Sequence, residues 1–259
     1  MLELDKIHCG DNCDLLGQLP RECIDLVVTS PPYDDLRTYG GHSWDFFGVA
    51  WQLKRVLKPG GVIVWVVADA TKDGSETCTS MEQALFFRRL GLNLHDTMIY
   101  GKLNPVPLTH NRYEQEWEYA FVLSAGKPKT WNPLKERTLG HGKKTLRFNE
   151  QEKGGSTRAR NEITVTNEMK QRGNAWFYVC SNGETGKHPA PFPEPLAKDH
   201  ILSWSNPGDI VLDPFSGSGT TAKAAKELGR RFLGLEINEQ YCEIARKRLA
   251  QQVLELEAV

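Results

Sequence analysis

The sequence predicts an α/β domain built on an open, doubly wound sheet of parallel strands. First, short apolar runs alternate with segments of helical periodicity along the 259 residues. Second, a strand, a Gly-x-Gly turn and a helix follow one another between residues 211 and 228. Third, only 38 residues follow Thr221, too few to complete such a sheet. The other strands therefore come from the N-terminal part, which makes the fold a circularly ordered variant.

Composition sets the broad class of the protein. The chain is 39% hydrophobic and 25% charged, which fits one globular domain, or one with an insertion, and excludes disorder, collagen and coiled coil. No apolar run is long enough to span a bilayer, and the first residues do not resemble a signal peptide. These features predict a soluble cytoplasmic protein without a membrane partner.

The six cysteines are scattered and contain no C-x-x-C pair, so we expect reduced thiols. His8, Cys9 and Cys13 lie close together in the sequence, but no second pair of ligands at zinc-site spacing accompanies them. We therefore predict no metal site.

Six regular elements are predicted before residue 126. The apolar run from Val62 to Val67 has no polar face and is typical of a buried parallel strand, whereas Phe46–Leu57 has helical spacing and ends at a Pro-Gly-Gly turn. In order, the elements are a strand at 24–29, a helix at 46–57, a strand at 62–67, a helix at 81–90 and strands at 96–100 and 119–123.

From Gly126 to Arg172 glycine, threonine and polar residues replace the apolar periodicity, which indicates an insertion or a mobile arm. Lys127–Arg172 holds 12 basic and 5 acidic residues, a net charge of +7, while the remaining residues carry −8. The whole-chain charge of −1 hides this segregation. By itself the segment is either a solvated loop or a surface for a polyanion.

The C-terminal part supplies a candidate nucleoside site. A strand at 211–213 leads through a Gly217-Ser218-Gly219 turn into a helix at 221–228, and a strand at 231–237 and a helix at 239–254 follow. The turn lacks the third glycine of the dinucleotide fingerprint and the lysine of a P-loop. Glu236 ends the next strand, where a carboxylate accepts hydrogen bonds from ribose hydroxyls. The pattern favours a site for an adenosine-bearing cofactor over the alternative that the glycines only turn the chain and Glu236 is a solvated strand end.

The turn Ser30-Pro31-Pro32-Tyr33 follows a buried strand at the sheet edge where ligands bind. The prolines offer no N–H, so the turn presents carbonyl oxygens and the Ser30 hydroxyl, which are acceptors suited to an exocyclic amine. Tyr33 adds a flat face for stacking. The alternative is a plain strand terminator.

Three motifs together resemble the DNA methyltransferases that methylate exocyclic amines, and their order matches the beta class of that family. The motifs are Thr29-Ser30-Pro31-Pro32-Tyr33, His188-Pro189-Ala190-Pro191-Phe192-Pro193 and Asp213-Pro214-Phe215-Ser216-Gly217-Ser218-Gly219-Thr220-Thr221. The resemblance implies a Rossmann-like, S-adenosylmethionine-dependent methyltransferase fold. It divides the chain into a catalytic half at 1–125, a target-recognition segment at 126–172 and a cofactor-binding half at 173–259.

The resemblance also assigns site residues. The catalytic residues would be Ser30, Pro31, Pro32 and Tyr33. The cofactor-binding residues would be Asp11, His188, Pro189, Asp213, Phe215, Ser216, Gly217, Gly219, Thr220 and Glu236. The DNA contacts would be Lys143, Lys144, Arg147, Arg158 and Arg160. Asp11 would hold the adenine amine, and the alternative is an ordinary aspartate that caps the following helix.

The implied reaction moves a methyl group from S-adenosylmethionine to the N4 amine of a flipped-out cytosine in double-stranded DNA, with the N6 amine of adenine as the alternative. Methylation at carbon 5 of cytosine would need a cysteine after a proline, and none of the six cysteines follows one. An RNA or protein methyltransferase and a non-catalytic DNA-binding module are the remaining alternatives. The expected partners are DNA and a cognate restriction endonuclease, and the expected state is a monomer or homodimer.

Overall fold

A computed structural model describes residues 2–33, 44–105, 112–139, 142, 144–147, 162–165, 167–180 and 193–256. The strands are β1 Lys6–Cys9, β2 Ile24–Thr29, β3 Leu57–Val67, β4 Thr71–Lys72, β5 Ser75–Glu76, β6 Asn93–Lys102, β7 Trp117–Ser124, β8 Lys135–Arg137, β9 Lys144–Arg147, β10 Glu162–Val165, β11 Met169–Gln171, β12 Ala175–Tyr178, β13 Ile210–Asp213 and β14 Arg231–Glu236. The helices are α1 Asn12–Gly17, α2 Phe46–Val56, α3 Thr79–Arg89, α4 Glu194–Trp204, α5 Thr220–Glu227 and α6 Glu239–Leu256.

Eight of the described strands form one sheet in the order β1-β14-β13-β2-β3-β7-β6-β12. Every neighbouring pair is parallel except the two pairs that contain β7, which runs antiparallel to both β3 and β6. The sequence predicted parallel strands throughout. An antiparallel neighbour needs no helical crossover, and none separates β6 from β7 among the residues described between them.

The chain order is circular, as expected. The first strand, β1, pairs with the last, β14, in a register that sets Cys9 opposite Glu236. From β13 the chain passes through α5 to β14 on one side, and from β2 it passes through α2 to β3 on the other. The connections therefore diverge between β13 and β2, and ligands bind open α/β sheets outside the carboxyl ends of strands at such a point.

The centre of the sheet is a buried apolar layer. All residues of β2 except Asp25, and residues 61–67 of β3, are buried, and Trp65 has no exposed surface. The Trp65 indole donates to Gln83 on α3 over 2.8 Å, so its polar atom is satisfied. No helix within the described ranges is both long enough and apolar enough to cross a membrane.

Two compact units make up the chain, one formed by Met1–Asn132 with Asn174–Val259 and one formed by Pro133–Gly173. The second unit contains two antiparallel strand pairs, β8 with β11 and β9 with β10, where the sequence predicted no regular elements. The sequence placed residues 126–132 in the target-recognition segment, but they belong to the first unit. The backbone amide of Asn132 donates to the Ser203 carbonyl over 2.9 Å.

Candidate active site

The carboxyl ends of four parallel strands lie in a row. β1 ends at Cys9, β14 at Glu236, β13 at Asp213 and β2 at Thr29, and each strand pairs with the next. Asp213 and Glu236 are the last residues of their strands, and Asp11, the Pro-Pro turn and the glycine loop follow strand ends within a few residues. Their arrangement along one edge is a consequence of parallel pairing, since parallel strands all end on the same side of a sheet.

A buried hydrogen bond joins the Pro-Pro turn to the glycine loop. The Thr29 hydroxyl donates to Asp213 Oδ1 over 2.7 Å, although the residues are 184 positions apart, and the Phe215 amide donates to the same oxygen over 3.1 Å. Burial raises the pKa of the Asp213 carboxyl to about 6, against the opposing effect of these donors. The two motifs are therefore held as neighbours.

Within the turn, Ser30 and Tyr33 contact each other and a third side chain. Ser30 Oγ and Tyr33 Oη are 2.7 Å apart, and Tyr33 donates to Glu118 Oε2 over 2.7 Å. Lys102 Nζ lies 2.7 Å from Glu118 Oε1. Pro31 is buried and Pro32 is half-buried. The Ser30 hydroxyl, interpreted from sequence as an acceptor, thus belongs to a chain of polar groups.

The glycine loop folds tightly over β14. Gly219, at φ +81°, is the N-cap residue of α5, and a Cβ there would lie 2.9 Å from the Cβ of Ala245. The Gly217 amide donates to Glu236 Oε2 over 2.8 Å, and the Asn238 amide donates to Oε1 over 2.9 Å. A carboxylate oxygen can accept more than one hydrogen bond, so these backbone donors orient the Glu236 carboxylate and are compatible with a role toward hydroxyl donors.

Ser216 offers an observation that fits a bound ligand. Its Oγ is buried and has no hydrogen-bond partner within the described part of the chain. A Cβ on Gly234 would lie 2.6 Å from this oxygen, so the strand approaches the loop closely because position 234 has no side chain. Buried polar atoms are rarely left unpaired, and a polar cofactor group in the loop would satisfy this one. The residues present fit an adenosine-type cofactor.

Asp11 acts as the N-cap of α1. Its Oδ1 accepts from the amides of Cys13 at 2.8 Å and Asp14 at 3.2 Å. The Gly10 amide donates to the Glu236 carbonyl over 2.9 Å, which places Asp11 beside the end of β14. Among the described residues Oδ2 makes no hydrogen bond. The capping role and contact with a ligand are therefore compatible.

Phe215 and Thr220 flank the loop. The Phe215 ring packs edge-on against Trp44, with centroids 4.9 Å apart, and also lies near Trp65. Thr220 is buried as the first residue of α5. Aromatic packing therefore holds Phe215 against the core at the start of the loop.

Some site residues assigned from the sequence are not among those that the structure describes. These are His188, Pro189, Lys143, Arg158 and Arg160. For Lys144 and Arg147 in β9, the structure describes only the backbone.

Sequence reasoning did not assign roles to Thr29, Lys102 and Glu118. Thr29 directly precedes the Pro-Pro turn, and Glu118 is a charged residue directly before the predicted strand at 119–123. A position next to a predicted motif or strand is the signal from which the sequence could have identified Thr29 and Glu118.

A second group of potential ligands lies where the end of β1 meets the start of α6. Ligand atoms of Cys9, Glu239 and Cys242 lie within 4.8 Å of one another. Burial raises the pKa of both thiols, and Glu239 is paired with Arg246 at 2.9 Å. These contacts favour neutral thiols and an existing ion pair over a bound cation.

The sheet is open, and its connections diverge between β13 and β2. A glycine loop and an acidic residue lie at the strand ends beside this point. These features define the class of Rossmann-like enzymes that bind an adenosine cofactor. A family model described as DNA methylase matches residues 24–247. M.BamHII of Bacillus amyloliquefaciens, named an orphan methyltransferase, is 48% identical over 239 residues, covering 89% of this chain and 90% of that protein.

Two further comparisons agree. M.BglII of Bacillus subtilis, named a type II methyltransferase, is 31% identical over 263 residues, covering 93% of this chain and 68% of that protein. The structure of a DNA modification methylase from Thermus thermophilus complexed with S-adenosyl-L-methionine has a TM-score of 0.61 and 26% identity, covering 96% of this chain and 95% of that chain. The chain belongs to the DNA methyltransferases that modify exocyclic amino groups, and S-adenosylmethionine is its methyl donor.

Proposed function

We propose that the protein methylates the N4 amine of a flipped-out cytosine within a specific sequence of double-stranded DNA. The Thr29–Asp213 hydrogen bond of 2.7 Å carries this proposal. It holds a turn suited to binding an amine against a loop suited to binding the methyl donor. Proximity of this kind makes methyl transfer effectively intramolecular once both ligands are bound.

The catalytic turn has three tasks in this proposal. A paired base must leave the stack, at a cost of a few kcal/mol, and the Tyr33 ring offsets part of that cost by stacking. The Ser30 hydroxyl and the Pro31 carbonyl accept hydrogen bonds from the amine and turn its lone pair toward the methyl group. Pro32 keeps the turn rigid. S-adenosylmethionine supplies an electrophilic methyl group on a sulfonium sulfur.

Cofactor binding is proposed for the residues along the four strand ends. Glu236 would accept from the ribose hydroxyls, and Asp11 Oδ2 would accept from the adenine amine. Ser216 Oγ would gain the partner that it lacks among the described residues. Further residues proposed to line the cofactor are Asp213, Phe215, Gly217, Gly219 and Thr220, with His188 and Pro189 at its methionine end.

Cytosine is proposed as the base because the turn begins with Ser30, which in this family goes mostly with cytosine, whereas Asp goes mostly with adenine. Both bases carry an amine delocalised into the ring, so the remainder of the pocket must contribute to selectivity. Nucleoside mass spectrometry of DNA from cells that express the protein tests the choice. N4-methylcytosine is expected. N6-methyladenine in the absence of N4-methylcytosine would mean that adenine is the target base.

The substrate class is tested with tritiated S-adenosylmethionine and DNA, RNA and protein acceptors. Label is expected in DNA alone. Sequencing the methylated DNA by a methylation-sensitive method would then give the recognition sequence. A Ser30→Ala variant is expected to lose most of the transfer rate while it keeps its cofactor affinity, and full activity in that variant would remove the proposed role of the hydroxyl.

DNA binding is proposed for the basic segment Lys127–Arg172, because it holds the positive charge that the rest of the chain lacks. Each phosphate contact releases counterions, so affinity should fall steeply with salt. The residues to neutralise together, called the basic quartet below, are Lys143, Lys144, Arg158 and Arg160.

A further inference from the structure

Glu118 is a buried acidic side chain that reaches the catalytic turn from a distant strand. β7 is antiparallel to its neighbours, so its first residues lie at the edge where β2, β3 and β6 end. The register pairs Glu118 with Tyr100 and Tyr119 with Val67. Glu118 is only 8% exposed, and a carboxylate buried to this degree needs partners.

Both carboxylate oxygens of Glu118 have a donor. Tyr33 donates to Oε2 over 2.7 Å, and Lys102, at the end of β6, lies 2.7 Å from Oε1. The side chains of Lys102 and Glu118 are 22% and 11% exposed, so the ion pair is shielded from bulk water. Lys102 therefore compensates the buried charge and holds the carboxylate in place.

The number of hydroxyl protons determines which group is the donor in each of these hydrogen bonds. Tyr33 has one hydroxyl proton, and it is donated to Glu118. In the 2.7 Å contact between Ser30 Oγ and Tyr33 Oη, Tyr33 must then be the acceptor and Ser30 the donor. With its proton committed to Tyr33, Ser30 Oγ faces any other ligand with lone pairs only. An amine N–H is the kind of group that such an oxygen binds.

This inference rests on the proposed function. We propose that Glu118, held by Lys102, is the positioning residue that makes Ser30 an acceptor for the target amine, and that it takes up the proton the amine loses. The nitrogen–methyl bond forms while the methyl–sulfur bond breaks and leaves its electron pair on sulfur. The amine proton passes to Ser30 Oγ, the Ser30 proton to Tyr33 Oη and the Tyr33 proton to Glu118 Oε2. A neutral methylated base, a neutral thioether and a protonated carboxyl result.

The test measures single-turnover methyl transfer at saturating tritiated S-adenosylmethionine and saturating DNA that carries the site identified by sequencing. The variants are Glu118→Gln, Tyr33→Phe and their combination. Glutamine cannot take up the proton and places an amide donor against either Lys102 or Tyr33. Glu116→Gln, an exposed acid two residues earlier, is the matched control.

We expect Glu118→Gln and Tyr33→Phe each to slow transfer about 10- to 100-fold, with cofactor and DNA dissociation constants within about twofold of wild type. The double variant should be no slower than the slower single variant, because both changes interrupt one chain of groups. Multiplied losses, weakened binding without a slower step, or a loss of less than about 10-fold in either single variant would overturn the inference. If Glu118→Gln does not fold, the transfer rate of the Tyr33→Phe variant alone tests the inference.

The two proposals fail in different ways. A wild-type protein that transfers no label to DNA would refute the proposed function. A wild-type protein that methylates DNA while its Tyr33→Phe variant keeps the full rate would refute only the role of Glu118.

Discussion

Replacing Asp213 with asparagine should stabilise the protein at neutral pH, because the change removes a buried charge and keeps the side-chain shape. Asp213 is 3% exposed, and burial raises the pKa of its carboxyl from 3.8 to about 6. Between these values the native state binds more protons than the unfolded state, so the free energy of unfolding falls as pH rises through this window.

The size of the effect follows from the same pKa values. Each pKa unit is worth about 1.4 kcal/mol, so ionised Asp213 costs the folded state on the order of 3 kcal/mol at pH 7. Asparagine keeps a side-chain oxygen that accepts from the Thr29 hydroxyl and the Phe215 amide. We expect the variant to gain roughly 2–3 kcal/mol at pH 7 and almost nothing near pH 4.

Urea denaturation at several pH values between 4 and 7, followed by tryptophan fluorescence, measures this gain. Glu243→Gln, which neutralises an exposed carboxylate on α6, is the control and should leave the pH dependence unchanged. An Asp213→Asn variant with the same pH dependence as wild type would refute the reasoning. So would a variant that is less stable at pH 7, because the hydrogen bonds would then outweigh the cost of burial.

The remaining predictions concern the cofactor, the loop and DNA. Glu236→Ala should weaken S-adenosylmethionine binding by roughly 1.5–3 kcal/mol, the scale of hydrogen bonds to a charged group, and calorimetry that finds unchanged affinity in a folded variant would contradict the cofactor assignment. Gly219→Ala should lower the thermal midpoint more than Gly229→Ala, because both have positive φ but only Gly219 would clash, with Ala245. Neutralising the basic quartet should weaken DNA binding and flatten its salt dependence, and unaltered binding would place the DNA contacts elsewhere.

The sequence by itself determined the local parts of this protein. β2, α2, the core of β3, α5 and β14 were predicted within a few residues, because apolar periodicity and glycine or proline punctuation are properties of short segments. β1 and β12, with four residues each, are too short for a periodic signal and were not predicted, whereas β13, of the same length, was recognised from the glycine turn that follows it. The glycine loop and the Ser-Pro-Pro-Tyr turn could likewise be recognised, since each is one continuous stretch.

The tertiary structure alone decided which of these parts meet. Alternating apolar residues do not distinguish a parallel from an antiparallel strand, so the direction of β7 could not be predicted, and that direction brings Glu118 to Tyr33. The Thr29–Asp213 contact depends in the same way on β13 pairing with β2 across most of the chain. Strand order and register are set by burial of the whole sheet, a cooperative property that no short segment carries.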